Sequence, residues 1–144
     1  MNNSTVNKVR LREVMPTEDG SFTLRIPGME ETYHSKHGAE QESRHVFIEQ
    51  GLKFFNAPIS ILEVGMGTGL NVVLTALHAQ YPVEYCALEP FPIEENVIQE
   101  WLRHQQHSQS YYQMIHESAF DTSISIGPLN FIKHQESLMN WETK

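Results

Sequence analysis

The chain has 144 residues, 40% hydrophobic and 19% charged, a composition that supports one packed core and excludes a disordered polymer. Eighteen acidic residues against ten basic ones leave a net charge of −8, which argues against broad phosphate neutralisation as a binding mode. No apolar run approaches the ~20 residues of a membrane span, and no basic-then-apolar leader opens the sequence. The single cysteine, Cys86, has no internal disulfide partner, so a cytoplasmic protein is expected.

Residues 8–14 and 21–26 alternate polar and apolar side chains around the turn-forming run Pro16-Thr17-Glu18-Asp19-Gly20, which predicts a β-hairpin ended by Pro27-Gly28. Residues 39–50 read as a helix with Ala39, Ser43, Val46, Phe47 and Gln50 on one face and Gly51 as its stop. A short apolar run, 59–64, leads into a glycine loop at 65–69. Leu70, Val73, Leu74 and Leu77 then give helical spacing up to Tyr81-Pro82. A second apolar strand, 83–88, closes on Glu89-Pro90, residues 93–106 read as helical, and 129–134 as a third strand. Strand, glycine loop, helix, strand, helix, strand is the βαβ pattern of an α/β fold with a parallel sheet. The division falls near residue 58, with 1–58 a hairpin-and-helix extension and 59–144 the sheet-forming part.

The loop Glu63-Val64-Gly65-Met66-Gly67-Thr68-Gly69-Leu70-Asn71 carries the chemistry. Glycines between a strand and a helix let a ligand approach the backbone, and the helix N-terminus offers free N–H groups. A dinucleotide fingerprint needs a third glycine at position 70, which here is Leu70, so the spacing is G-x-G-x-G. Glu63, two residues before the first glycine, suits a cationic amino group better than a pyrophosphate. Glu89 stands 20 residues after Gly69, at the end of the second strand, where a carboxylate can accept hydrogen bonds from ribose hydroxyls. Together these favour S-adenosylmethionine over NAD; the alternative is a turn whose glycines serve packing alone.

This segment resembles the first motif of class I methyltransferases, and its Gly67-Thr68-Gly69-Leu70-Asn71 ending resembles the tRNA 5-methylaminomethyl-2-thiouridine methyltransferases. Thr17-Glu18-Asp19-Gly20-Ser21, Tyr33-His34-Ser35, Glu42-Ser43-Arg44-His45-Val46-Phe47 and Ala87-Leu88-Glu89-Pro90-Phe91-Pro92 are similar to other parts of that family. The resemblance implies a Rossmann-like class I methyltransferase domain. Its cofactor would be S-adenosyl-L-methionine, held by Glu63, Gly65, Gly67, Thr68, Gly69, Asn71, Glu89 and Pro90. Tyr33, Ser35 and Glu42 are further candidates for touching substrate or cofactor. The implied reaction methylates the amine of a 5-aminomethyl-(2-thio)uridine at the tRNA wobble position, in a domain that occurs alone or fused to a flavin-dependent oxidase acting on the same base.

The chain departs from the family where catalysis belongs. An Asp-Ala-Phe/Gly-Phe-x-Pro type motif is expected beyond a fourth strand, yet the only aspartates are Asp19 and Asp121. No catalytic residue is therefore assigned, and the chain is expected to hold the first half of the domain with its C-terminal strands missing. Two readings stay open beside the tRNA one: a class I methyltransferase acting on a small molecule or protein, and a non-catalytic cofactor-binding remnant. Six of the ten basic residues lie in the first 50 positions, and Arg10, Arg12, Arg25, Lys36 and Arg44 are candidate phosphate contacts. His34, His37 and His45 lack the acids or cysteines that would complete a metal site. Trp101, Tyr111 and Tyr112 read as packing rather than base-stacking residues, and Cys86 as a buried structural thiol.

Overall fold

A computed structural model describes residues 12–141. The expected hairpin is present and shorter than the alternation suggests: β1 (Glu13–Pro16) and β2 (Phe22–Arg25) pair antiparallel, Glu13 opposite Arg25 and Pro16 opposite Phe22. Residues 8–11 of the expected first strand lie outside the described residues. Pro16 belongs to the strand and not to the turn, because at the last pair of a two-stranded ladder its missing N–H costs little.

Asp19 organises the turn. Its carboxylate accepts hydrogen bonds from Thr17 Oγ1 (2.7 Å), Ser21 Oγ (2.6 Å), Ser21 N (3.0 Å) and, across the chain, Gln41 N (3.0 Å). The last of these lies in the first turn of α1 (Ala39–Ser43), so the hairpin tip caps a helix that begins twenty residues later. Gly38 is required beside it, since a Cβ there would lie 2.8 Å from Asp19 Oδ2.

α1 continues as a π-helix, Arg44–Glu49. A π turn inserts one residue into the helical spacing and rotates every later side chain. Ala39, Ser43 and Ile48 are consequently buried, while Val46 and Phe47 are 47% and 50% exposed. This corrects the inward face read from regular α-helical spacing.

The rest of the chain is β3 (Ile59–Val64), α2 (Leu70–His78), β4 (Val83–Leu88), α3 (Glu95–Arg103), α4 (Gln109–Glu117), β5 (Ile124–Ile126) and β6 (Leu129–His134). The three longer strands match the sequence reading, whereas α2 and α3 are shorter than read. α4 and β5 are additions. The sheet order is β3-β4-β6-β5; the first three strands run parallel and β5 antiparallel to β6. The fold is a Rossmann-like α/β fold, and the outer edge of β3 has no strand partner among the described residues.

Register places Ile61, Tyr85 and Phe131 in one row and Glu63, Ala87 and Lys133 in the next. That sheet face lies under α2 and α4, where Phe131, Ile115 and Val73 are essentially inaccessible and Trp101 meets Tyr112 edge-on at 5.9 Å. Each such fully buried side chain contributes roughly 1.5–3 kcal/mol. Lys133 is a charged exception, 4% exposed, with Nζ donating to the carbonyls of Ile115 (2.8 Å) and His116 (3.1 Å) at the end of α4. Burial lowers its pKa, and the carbonyl end of a helix is where a cation is best held. The opposite sheet face, with Leu62, Cys86 and Ile132, is more open; Cys86 is half-buried there, and burial pushes its thiol pKa up. No helix among the described residues is long and apolar enough to cross a membrane.

Candidate functional site

Val64 pairs with Leu88, so the loops that follow β3 and β4 emerge side by side at the carboxyl end of the sheet. Ligands of open α/β sheets collect at that end, because strand ends and helix N-termini converge there. The loop after β3 is anchored by Gly65 N and Met66 N, which donate to Leu88 O at 2.8 and 3.3 Å. Glu89 then ties the two loops together. Its Oε2 accepts from Gly67 N at 2.8 Å and its Oε1 from Phe91 N at 2.9 Å, in a residue only 7% exposed.

The three loop glycines all have positive φ, at +82°, +56° and +85°, yet they serve different ends. A Cβ on Gly69 would meet Ile115 Cγ2 at 3.3 Å, so this glycine lets α2 start against α4 and is a packing residue. A Cβ on Gly67 would lie 3.0 Å from Tyr33 Cδ2, so its open side is already covered by an aromatic ring. Only the space beside Gly65 is open to 4 Å. Thr68 turns inward with a fully buried side chain, and its carbonyl accepts from His116 Nε2 at 2.8 Å.

Glu63, the last inward-facing residue of β3, is held by two donors: Asn71 Nδ2 at 3.0 Å and Tyr85 Oη at 2.9 Å. Burial raises its pKa to about 7; the two hydrogen bonds pull the other way without prevailing, and the charge of Glu89 adds to the rise. Its surroundings thus disfavour the charged carboxylate, and no cation of the described residues forms an ion pair with it.

A groove of about 810 Å³ opens beside Glu63. It runs along the open edge of β3 between Gly65 and Asn71 on one side and Tyr33, Glu42, Phe47 and Phe55 on the other. The structure therefore divides the residues that the sequence reading assigned to one ligand. Glu63, Gly65, Asn71, Tyr33 and Glu42 line the groove. Gly67, Thr68, Gly69, Glu89 and Pro90 do not, and Glu89 instead braces the loops beneath it. Ser35 acts on Glu42, its N–H donating to Oε2 at 2.8 Å.

Three of the five candidate phosphate contacts are engaged elsewhere, whereas Lys36 forms no ion pair among the described residues. Arg12 is 7% exposed and paired with Glu94 at 2.9 Å, Arg25 pairs with Glu13, and Arg44 with Glu40; Arg10 lies outside the described residues. The pairs of Arg25 and Arg44 are exposed and readily exchanged, but that of Arg12 is not. Tyr85 and His116 are site residues that the sequence does not single out, and Arg12, expected as a phosphate contact, is instead turned inward onto Tyr33, Phe91, Pro92 and Glu94. Tyr85 was within reach, since strand alternation in register puts it on the same face as Glu63.

No protein-family model matches the chain, and no curated protein matches it. Among solved structures it is similar to the crystal structure of MNMC2 from Aquifex aeolicus, with a TM-score of 0.60 and 23% identity over 88% of this chain and 43% of that one. At that identity the likeness is one of fold, and this chain spans less than half the length of its structural neighbour.

Proposed function

We propose that this chain binds S-adenosylmethionine as part of a tRNA-modifying methyltransferase, acting on the amine of a 5-aminomethyl-(2-thio)uridine at the wobble position. The observation that carries the reading is Glu63: a buried carboxyl at the head of a glycine loop, opening on a groove and paired with no cation among the described residues. A ligand ammonium placed there would offset the desolvation that now keeps the group near neutrality. The open space beside Gly65 is where the backbone admits a close-lying ligand. Bound there, the cofactor supplies an activated methyl group on a sulfonium leaving group. Glu89 retains lone pairs beyond the two spent on backbone N–H groups and is suited to vicinal hydroxyls. A substrate seated against the apolar side chains of Phe47 and Phe55 would displace water from that wall, which would favour a neutral, nucleophilic amine over its ammonium form. A wobble base lies in a single-stranded loop and enters a pocket without unwinding a helix, so a local rim suffices in an acidic protein. The expected setting is the cytoplasm, with a flavin-dependent oxidase acting on the same base.

The internal pairing of Arg12, Arg25 and Arg44 favours a second reading, a methyltransferase of a small molecule or protein that needs no basic rim. Calorimetric titration with S-adenosylmethionine, S-adenosylhomocysteine and NAD tests the cofactor. Labelled methyl donor with tRNA from cells blocked at the last methylation tests the substrate. Label in 5-methylaminomethyl-uridines supports the tRNA reading, and label only in metabolites or protein supports the second. Binding without transfer would leave a non-catalytic cofactor-binding domain, and tighter binding of NAD would overturn the cofactor assignment.

A further inference from the structure

Arg12 stands one residue before β1, yet its guanidinium reaches both walls of the loop cluster. Its Nε donates to Tyr33 Oη at 2.6 Å, its Nη2 to Phe91 O at 2.9 Å, and its Nη1 to Pro92 O at 3.3 Å while pairing with Glu94 at 2.9 Å. Almost the whole donor fork is spent inside the protein, on segments distant in sequence. These segments share one property: each borders the glycine loop. Phe91 and Pro92 belong to the loop that Glu89 begins, and the ring of Tyr33 lies against Gly67. Gly67 donates in turn to Glu89, so contacts run from Arg12 through Tyr33, Gly67, Glu89 and Phe91 and back to Arg12. Because Arg12 donates to the Tyr33 oxygen, the phenol proton is left to be given elsewhere, and a cationic donor on its oxygen makes the phenol a stronger donor. Tyr33 also lines the groove beside Glu63.

We propose that Arg12 is a positioning residue of the ligand site, which fixes Tyr33 across the glycine loop as a hydrogen-bond donor to an acceptor atom of the bound nucleoside cofactor. The N-terminal hairpin is then a working wall of the site. The proposal rests on the S-adenosylmethionine reading for the identity of the ligand, but its mechanical part does not.

The test compares wild type, Arg12→Ala, Tyr33→Phe and the double variant by calorimetric titration with S-adenosylhomocysteine and by hydrogen exchange without ligand. Each single change is expected to weaken binding roughly tenfold, and the double variant no more than the worse single, as for two residues acting through one contact. Tyr33→Phe keeps the ring against Gly67 and should leave the exchange of the Gly67 N–H, which is bonded to Glu89, unchanged while affinity falls, a separation that a merely structural tyrosine would not give. Arg12→Ala should speed exchange at the Gly67 and Phe91 amides. If Arg12→Ala fails to fold, Arg12→Lys keeps the charge and loses the fork, and its expected affinity is as poor. Unchanged affinity in the Arg12 variant, or fully additive losses, would overturn the proposal. Should wild type bind no S-adenosylhomocysteine, the cofactor reading fails, and the exchange data decide the latch: unaltered exchange in the Arg12 variant overturns it.

Discussion

Glu89 accepts the backbone N–H of Gly67 at 2.8 Å, so the acid at the end of the second parallel strand directly holds the middle of the glycine loop that follows the first. Its second oxygen holds Phe91 N. A carboxylate bonded to two backbone amides is both a structural brace and, with its remaining lone pairs, a ligand acceptor. Glu89→Ala strands two N–H groups in a buried setting and should lower stability by about 3 kcal/mol in urea unfolding. Glu89→Gln retains one acceptor and should recover about half of that loss.

Glu63 gives a pH signature of the opposite sign to a usual carboxylate. Its pKa in the folded chain, raised mainly by burial, is about 7 against an ordinary value of 4.5. Between these values the folded state binds the extra proton, so stability is greatest below about pH 4.5 and falls as pH rises through 7, by on the order of 3 kcal/mol. Glu63→Gln should flatten this slope and be the more stable protein at pH 8. Urea unfolding across that range measures it, and equal slopes in the two proteins would refute the assignment.

Gly65 separates ligand approach from backbone strain. At φ +82° an alanine costs ~1 kcal/mol, and nothing lies within 4 Å of its Cβ. Gly65→Ala should therefore remain folded while losing at least roughly tenfold in affinity for S-adenosylhomocysteine, because the methyl enters the ligand's space. Gly69→Ala should do the reverse, destabilising the chain by pressing on Ile115.

Asp19 makes the hairpin acid-sensitive. Burial raises its pKa, but the hydrogen bonds of Ser21, Thr17 and Gln41 outweigh that and bring it to about 2 from 3.8. Its contribution is present above pH 4 and lost as pH falls towards 2. Asp19→Ala should remove about 1 kcal/mol at pH 7, as for a lost helix cap, and the difference from wild type should shrink to a small fraction of that at pH 2. Thermal melts at pH 7, 4 and 2 check it.

Local pattern alone determined the three parallel strands, the glycine loop and the acids at 63 and 89. An apolar strand, a glycine turn and a helical period are properties of consecutive residues. The π turn at Arg44–Glu49 was not legible, because a one-residue slip in helical spacing arises from packing Ile48 rather than Phe47 into the core. α4 escaped because its buried contacts are few, chiefly Tyr112 and Ile115, and β5 because three residues become a strand only by pairing with β6. The roles within the site also depended on distance. Adjacent glycines look alike in sequence, but whether a Cβ would meet Ile115, Tyr33 or open space is settled by segments tens of residues away. Likewise the charge of Arg12 was visible from the start, and only the tertiary fold could direct it inward, since burying a guanidinium requires Tyr33, Phe91, Pro92 and Glu94 to converge on it at once.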